Sequence, residues 1–99
     1  MQIRYERSGG FTGIPQKYSV SDETLNEEER GRLAELVANA HFFDQPAEIR
    51  RITPGADMYQ YSITIDSNGH SHEVCVDEGA VPAELKPLLG WLQNAARKR

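Results

Sequence analysis

An α+β sandwich, in which a four-stranded antiparallel sheet is covered on one face by two to three helices, is predicted by three features of this 99-residue sequence. Four segments alternate apolar and polar residues with the period of a half-buried strand, and two others space their apolar residues as one face of a helix. Their order is strand, strand, helix, strand, strand, helix, which suits antiparallel hairpins with helices packed on one side and a wet polar face on the other.

The first strand covers residues 2–7, with Ile3 and Tyr5 facing one side and Gln2, Arg4 and Glu6 the other. Residues 16–21 repeat the pattern with Tyr18 and Val20, so the two runs read as a hairpin with a long tip. Asn26 before Glu27, Glu28 and Glu29 supplies a helix cap, acids in the first turn and a capping-box Glu, which places a helix start near Glu27. Leu33, Leu36, Val37 and Ala40 then fall on one helix face, to be laid on the sheet.

Between His41 and Asp57 the signals weaken. Phe42 and Phe43 are expected to close the core under the helix end, and Pro46 and Pro54 to flank an irregular strand or loop. Residues 58–66 make the strongest strand, with Tyr59, Tyr61, Ile63 and Ile65 on one side and Gln60, Ser62 and Thr64 on the other. Ser67-Asn68-Gly69 is hairpin chemistry, because Asn and Gly tolerate positive φ, and the return strand over 70–77 puts His72, Val74 and Val76 on one face. A short turn near Pro82 leads to a terminal helix with Pro87 in its first turn and with Leu88, Leu89, Trp91 and Leu92 in the core. A third helical turn is expected near Pro82 or after Ala40.

A chain of this length is read as a single domain, 1–99, burying roughly two-thirds of the surface its unfolded form exposes. The net charge of −4 and pI near 5.3 argue against general nucleic-acid binding, which rests on a basic face. Apolar residues never gather into a membrane-length run, and the N-terminal residues lack a secretory apolar core, so a cytoplasmic location is expected. The one cysteine, Cys75, sits in an alternating strand with no activating partner in the local sequence. His70 and His72 share a strand face without a Cys or carboxylate cluster at ligand spacing, so no metal site or cofactor is assigned. Asp66 and Asp77 end two strands and would make a carboxylate pair only by meeting across the hairpin; no Gly-x-Ser-x-Gly signature occurs, and no enzyme activity is expected.

Residues 8–15, Ser-Gly-Gly-Phe-Thr-Gly-Ile-Pro, stand apart, because three glycines and a proline surround two large apolar side chains. Such a tip brings backbone close to a partner and offers Phe11 or Ile14 to an apolar pocket, or else folds those side chains back over the end of the core. The residues alone leave both options open. A phosphate cradle fits poorly, since the run joins two strands and lacks the Gly-x-x-x-x-Gly-Lys spacing.

The opening Ile3-x-Tyr5-x-Arg7-Ser8-Gly9-Gly10-Phe11-Thr12-Gly13-Ile14, the central Asp57-x-Tyr59-x-Tyr61 and the ending Val81-Pro82-x-x-Leu85-x-Pro87-Leu88-Leu89-x-Trp91-Leu92 resemble the emfourin family, small protein inhibitors of thermolysin-like metallopeptidases. The resemblance spans nearly the whole chain. It implies a one-domain α/β sandwich whose partner is a thermolysin-like or protealysin-like zinc peptidase, blocked at its active-site cleft, with the zinc belonging to the enzyme. It also implies that Phe11 or Ile14 supplies the large apolar residue such enzymes favour just after the scissile bond. On this reading Gly9, Gly10, Phe11, Thr12, Gly13 and Ile14 form the main contact, with Arg7 and Ser8 at its base, and Met1 joins them if the N-terminus lies beside the same sheet edge. The competing expectation is a protein-binding module that acts through Gln60, Ser62 and Thr64 on the polar sheet face.

Overall fold

The structure, a computed structural model, describes residues 1–9, 14–50 and 58–98. Strands β1 (Gln2–Gly9) and β2 (Gln16–Ser21) are followed by helix α1 (Glu27–Asn39), strands β3 (Glu48–Ile49), β4 (Tyr59–Ser67) and β5 (His70–Asp77), and helix α2 (Lys86–Arg97). The strands form one mixed sheet in the order β2-β1-β4-β5-β3. Neighbours run antiparallel except β3, which lies parallel to β5.

Among the described residues the sheet therefore has five strands where four were expected. β3 is only two residues long, too short to carry an alternating pattern, and it exists because β5 offers it an edge. The Cys75 N–H donates to the Ala47 carbonyl at 2.8 Å, just before the Glu48↔Cys75 and Ile49↔Val76 pairs. Its identity is a tertiary fact.

Elsewhere local chemistry sets the elements. The Asn26 side-chain oxygen accepts from the Glu29 N–H at 2.8 Å, which satisfies one of the orphan donors at the start of α1. Asn68 and Gly69 take φ of 51° and 82°, the two positive values that a tight two-residue hairpin turn requires. Pro87 lies in the first turn of α2, where its missing N–H breaks no helical bond.

One core joins the layers. Ile3, Tyr5, Val20, Ile63, Ile65, Val74 and Val76 from the sheet pack with Leu33, Leu36 and Val37 of α1 and with Leu88, Leu89 and Leu92 of α2. Trp91 is only half-buried and meets Tyr18 edge-on, with ring centroids 6.5 Å apart. The expectation for the two phenylalanines holds for Phe42, which is fully buried, and is corrected for Phe43, which is 42% exposed. Both lie in a 3-10 turn, Phe42–Asp44, where successive side chains diverge by about 120°, so the pair cannot point the same way. That turn is the helical turn expected after Ala40. His41 enters it with φ 49°, a left-handed conformation that reverses the chain at the end of α1.

Candidate functional site

The register places the base of the Gly-rich run at one end of the sheet. Gly9 pairs with Tyr59, Arg7 pairs with Gln16 and Tyr61, and Gln60 pairs with Asp77. Because β3 is parallel to β5, Ile49 and Arg50 approach this same end. The described residues that flank 10–13 and 51–57 are therefore neighbours. Of the expected contact residues, Gly10, Phe11, Thr12 and Gly13 lie outside the described residues.

Ile14, which follows them, is 77% exposed. Ser8 is half-buried on the polar side of the sheet, beside a recess lined also by Arg50, Gln60 and Asp77. The Arg50 guanidinium stands 3.6 Å from the Asp77 carboxylate and 3.7 Å from that of Glu48. Gly9 has φ +86° and its missing Cβ would sit 2.7 Å from the Met58 carbonyl oxygen, so the strand ends in a conformation and a clearance that suit glycine.

Arg7 lies on the opposite side. The alternation that buries Ile3 and Tyr5 continues to Arg7, on the helix-covered side, where its guanidinium lies 4.3 Å from the centre of the Tyr59 ring. Tyr5 and Tyr61 stack beneath it with centroids 6.3 Å apart, and the Tyr5 hydroxyl donates to Gln16 Oε1 at 3.3 Å. Burial pushes the Tyr5 hydroxyl up to about 12, against the opposing pull of Arg7. Burial, and then the Glu78 carboxylate, raise Tyr61 as well. Both phenols are thus held neutral through the ordinary pH range.

Met1 is not brought to this end. Its ammonium contacts the Asp22 carboxylate at 3.1 Å, and its carbonyl accepts from the Asp22 N–H at 3.0 Å. It precedes the eight-residue strand whose far end is Gly9, a separation of about 25 Å at the usual rise per residue. The structure groups Arg7, Ser8, Gly9 and Ile14 and leaves Met1 apart.

Sequence reasoning also missed residues that belong to the same end. Gln16, Tyr59 and Tyr61 share the helix-covered face with Arg7, and Gln93 and Arg97 reach it from the last turns of α2. A visible signal existed for the first three. Along β1, β2 and β4 the inward positions change from aliphatic to aromatic and polar towards this end, from Ile3 to Tyr5 to Arg7, from Val20 to Tyr18 to Gln16, and from Ile63 to Tyr61 to Tyr59.

Other chemistry is dispersed. Asp66 and Asp77 sit at opposite ends of the β4–β5 hairpin, paired in register with Ser71 and Gln60, so they form no carboxylate pair. His72 Nε2 lies 2.7 Å from the Gln45 carbonyl oxygen, and no group of three His, Cys, Asp or Glu residues suited to a metal is found among the described residues. The Cys75 thiol is half-buried, with Ser62 Oγ at 4.0 Å. On the polar face, Lys17 pairs with Glu6 at 3.6 Å and Arg4 with Asp66 at 3.7 Å, while Ser62 and Thr64 both donate to Glu73. Much of that face is satisfied from within. No described helix is long and apolar enough to cross a membrane.

The model of the family described as Emfourin matches residues 5–93. No curated protein and no solved structure matches the chain. The matched span takes in Arg7, Ser8, Gly9, Ile14, Tyr59, Tyr61 and Gln93, and it excludes Met1 and Arg97.

Proposed function

The chain belongs to the emfourin family, a family of protease inhibitors, and from that premise we propose that it reversibly blocks the active-site cleft of a thermolysin-like or protealysin-like zinc metallopeptidase. The contact is made by residues 8–15, with Phe11 or Ile14 as the apolar anchor and Arg7, Ser8 and Gly9 as its base. The cytoplasmic setting expected from the sequence, the single-domain organisation and the absence of a cofactor are part of the same proposal.

The family match across residues 5–93 is the observation that carries this reading. The geometry of the base supports it. A reversible inhibitor enters a cleft without being cut, which needs a segment whose ends are held rather than free to adopt the productive conformation. Gly9 is held against Met58 and Tyr59, Arg7 is seated on the Tyr59 ring, and Ile14 is 77% exposed. An anchored base lowers the ordering cost on binding, and an exposed apolar side chain gains about 25 cal/mol per Å2 when a pocket covers it.

Titration of the purified chain against thermolysin, followed with a peptide substrate, tests the proposal. A near-stoichiometric loss of activity is expected, with Phe11→Ala raising the inhibition constant at least about tenfold, roughly 1.4 kcal/mol. No effect on several thermolysin-like enzymes overturns it and turns attention to the polar sheet face.

A further inference from the structure

A recess of about 320 Å3 opens beside the base of the Gly-rich run, lined by Arg7, Gln16, Gln93 and Arg97. We propose that this notch is a carboxylate-binding site, and that on the inhibitor reading given above it receives an Asp or Glu side chain from the rim of the peptidase cleft.

Among the cations carried by the sheet, charge pairing sets Arg7 apart. Arg4, Lys17 and Arg50 each have a carboxylate within 4.0 Å, although the polar sheet face they occupy is open to water. Arg7 and Arg97 have none among the described residues, in a chain whose net charge is −4. Glu78, whose charge reaches Tyr61, accepts from the Tyr59 N–H at 3.2 Å and forms no ion pair with either arginine. Two guanidiniums thus share one cavity, with no carboxylate within 4.0 Å of either among the described residues.

The remaining lining is suited to a small planar anion. Arg7 is oriented by the Tyr59 ring and Arg97 by a hydrogen bond to Asn94 Oδ1 at 3.2 Å, so their forks lose less freedom on engaging a ligand than free side chains would. Gln16 and Gln93 bring side-chain amides, each already tied to a core tyrosine, Gln16 to Tyr5 and Gln93 to Tyr61. A guanidinium fork and a carboxylate make two parallel charge-assisted hydrogen bonds, the strongest class available to such a site. The overall acidity of the chain disfavours a polyanion such as a nucleic acid, whose phosphates need an extended basic face. An isolated carboxylate on a protein meets only the notch.

Two arms test this. In the first, the full 15N-labelled chain is titrated with sodium acetate at constant ionic strength, with inorganic phosphate in parallel. The Arg7 and Arg97 Nε–H signals and the Gln16 and Gln93 amide signals should move together and saturate with one dissociation constant, and Arg97→Gln should abolish the saturation. A proportional drift of every arginine, or saturation by phosphate but not acetate, overturns the site. In the second, Arg97→Glu should raise the inhibition constant about tenfold at about 50 mM NaCl and by less at about 500 mM. Arg32→Glu, the same charge change on the exposed surface of α1, should leave it unchanged; equal effects from the two variants overturn the docking role. A wild-type chain that inhibits no thermolysin-like enzyme removes the peptidase as bearer of the carboxylate, and the acetate titration then decides alone whether the notch is a carboxylate site.

Discussion

Gly9 and Met58 touch through backbone: a Cβ on Gly9 would stand 2.7 Å from the Met58 carbonyl oxygen, closer than side-chain carbons approach an oxygen. Its φ of +86° adds a second reason for glycine. Gly9→Ala should therefore destabilise the fold by about 2–3 kcal/mol in urea unfolding. Gly31→Ala is the matched control. Gly31 lies in α1 with nothing within 4 Å of its missing Cβ, so that variant should gain about 0.5–1 kcal/mol from helix propensity. A Gly9→Ala variant as stable as the wild type would contradict the described close approach.

Ile14 separates binding from folding. It is 77% exposed, so Ile14→Ser should alter stability by no more than about 0.5 kcal/mol. If the side chain serves as an anchor, the same variant should weaken inhibition of a thermolysin-like enzyme by about tenfold. Thermal melts and inhibition constants measured on one preparation check both halves.

Tyr5 sets an alkaline limit. Its hydroxyl is pushed up to about 12 in the folded protein, against about 10 in the unfolded chain. Below pH 10 both states keep the proton and the group's contribution is constant. Between pH 10 and 12 the unfolded chain loses the proton while the folded protein retains it, so stability falls as pH rises. The loss should be on the order of 2 kcal/mol across that window. Tyr5→Phe should be slightly less stable at neutral pH, having lost the bond to Gln16, and should show a shallower alkaline decline. Urea midpoints at pH 8, 10 and 11 would reveal the difference, and parallel curves for the two proteins would refute it.

The Asn26 cap offers a smaller effect. Replacing it by Ala removes the acceptor for the Glu29 N–H and should cost about 1 kcal/mol, whereas Asn26→Asp should be neutral or stabilising at the positive end of the α1 dipole. Urea unfolding of the three proteins distinguishes the outcomes. An Ala variant matching the wild type would mean that water satisfies the helix start equally well.

The contrast between β4 and β3 explains what could be read from sequence. β4 carries nine residues of alternation and is followed at once by Asn68-Gly69, so its existence, its inward face and its turn are all written locally. β3 has two residues and is defined by its partner; no local window contains that information. Phe43 was misplaced because two adjacent aromatic residues look equally apolar in sequence, whereas the 3-10 turn lets only Phe42 point inward. For the candidate site, the placing of Arg7, Ser8 and Gly9 together at one strand end was legible because β1 runs on into a glycine run. Arg97 was not, since a cationic helix end has an adequate local explanation in the dipole, and its approach to Arg7 depends on how α2 crosses the sheet. Met1 was joined to the site only on a condition about the sheet edge, and its bonds to Asp22 fasten it elsewhere.

The shared exit point of residues 10–13 and 51–57 has a consequence for how such a scaffold diversifies. Their described flanks lie at one end of the strands, whereas Ile3, Ile65, Val20 and the leucines of both helices interlock away from it. Lengthening either segment adds chain between strand ends that the sheet already holds, and each doubling of a loop costs only about 0.6 kcal/mol of closure entropy. Insertions at that end therefore cost the frame little in folding free energy, and it lends itself to the grafting of foreign recognition segments there.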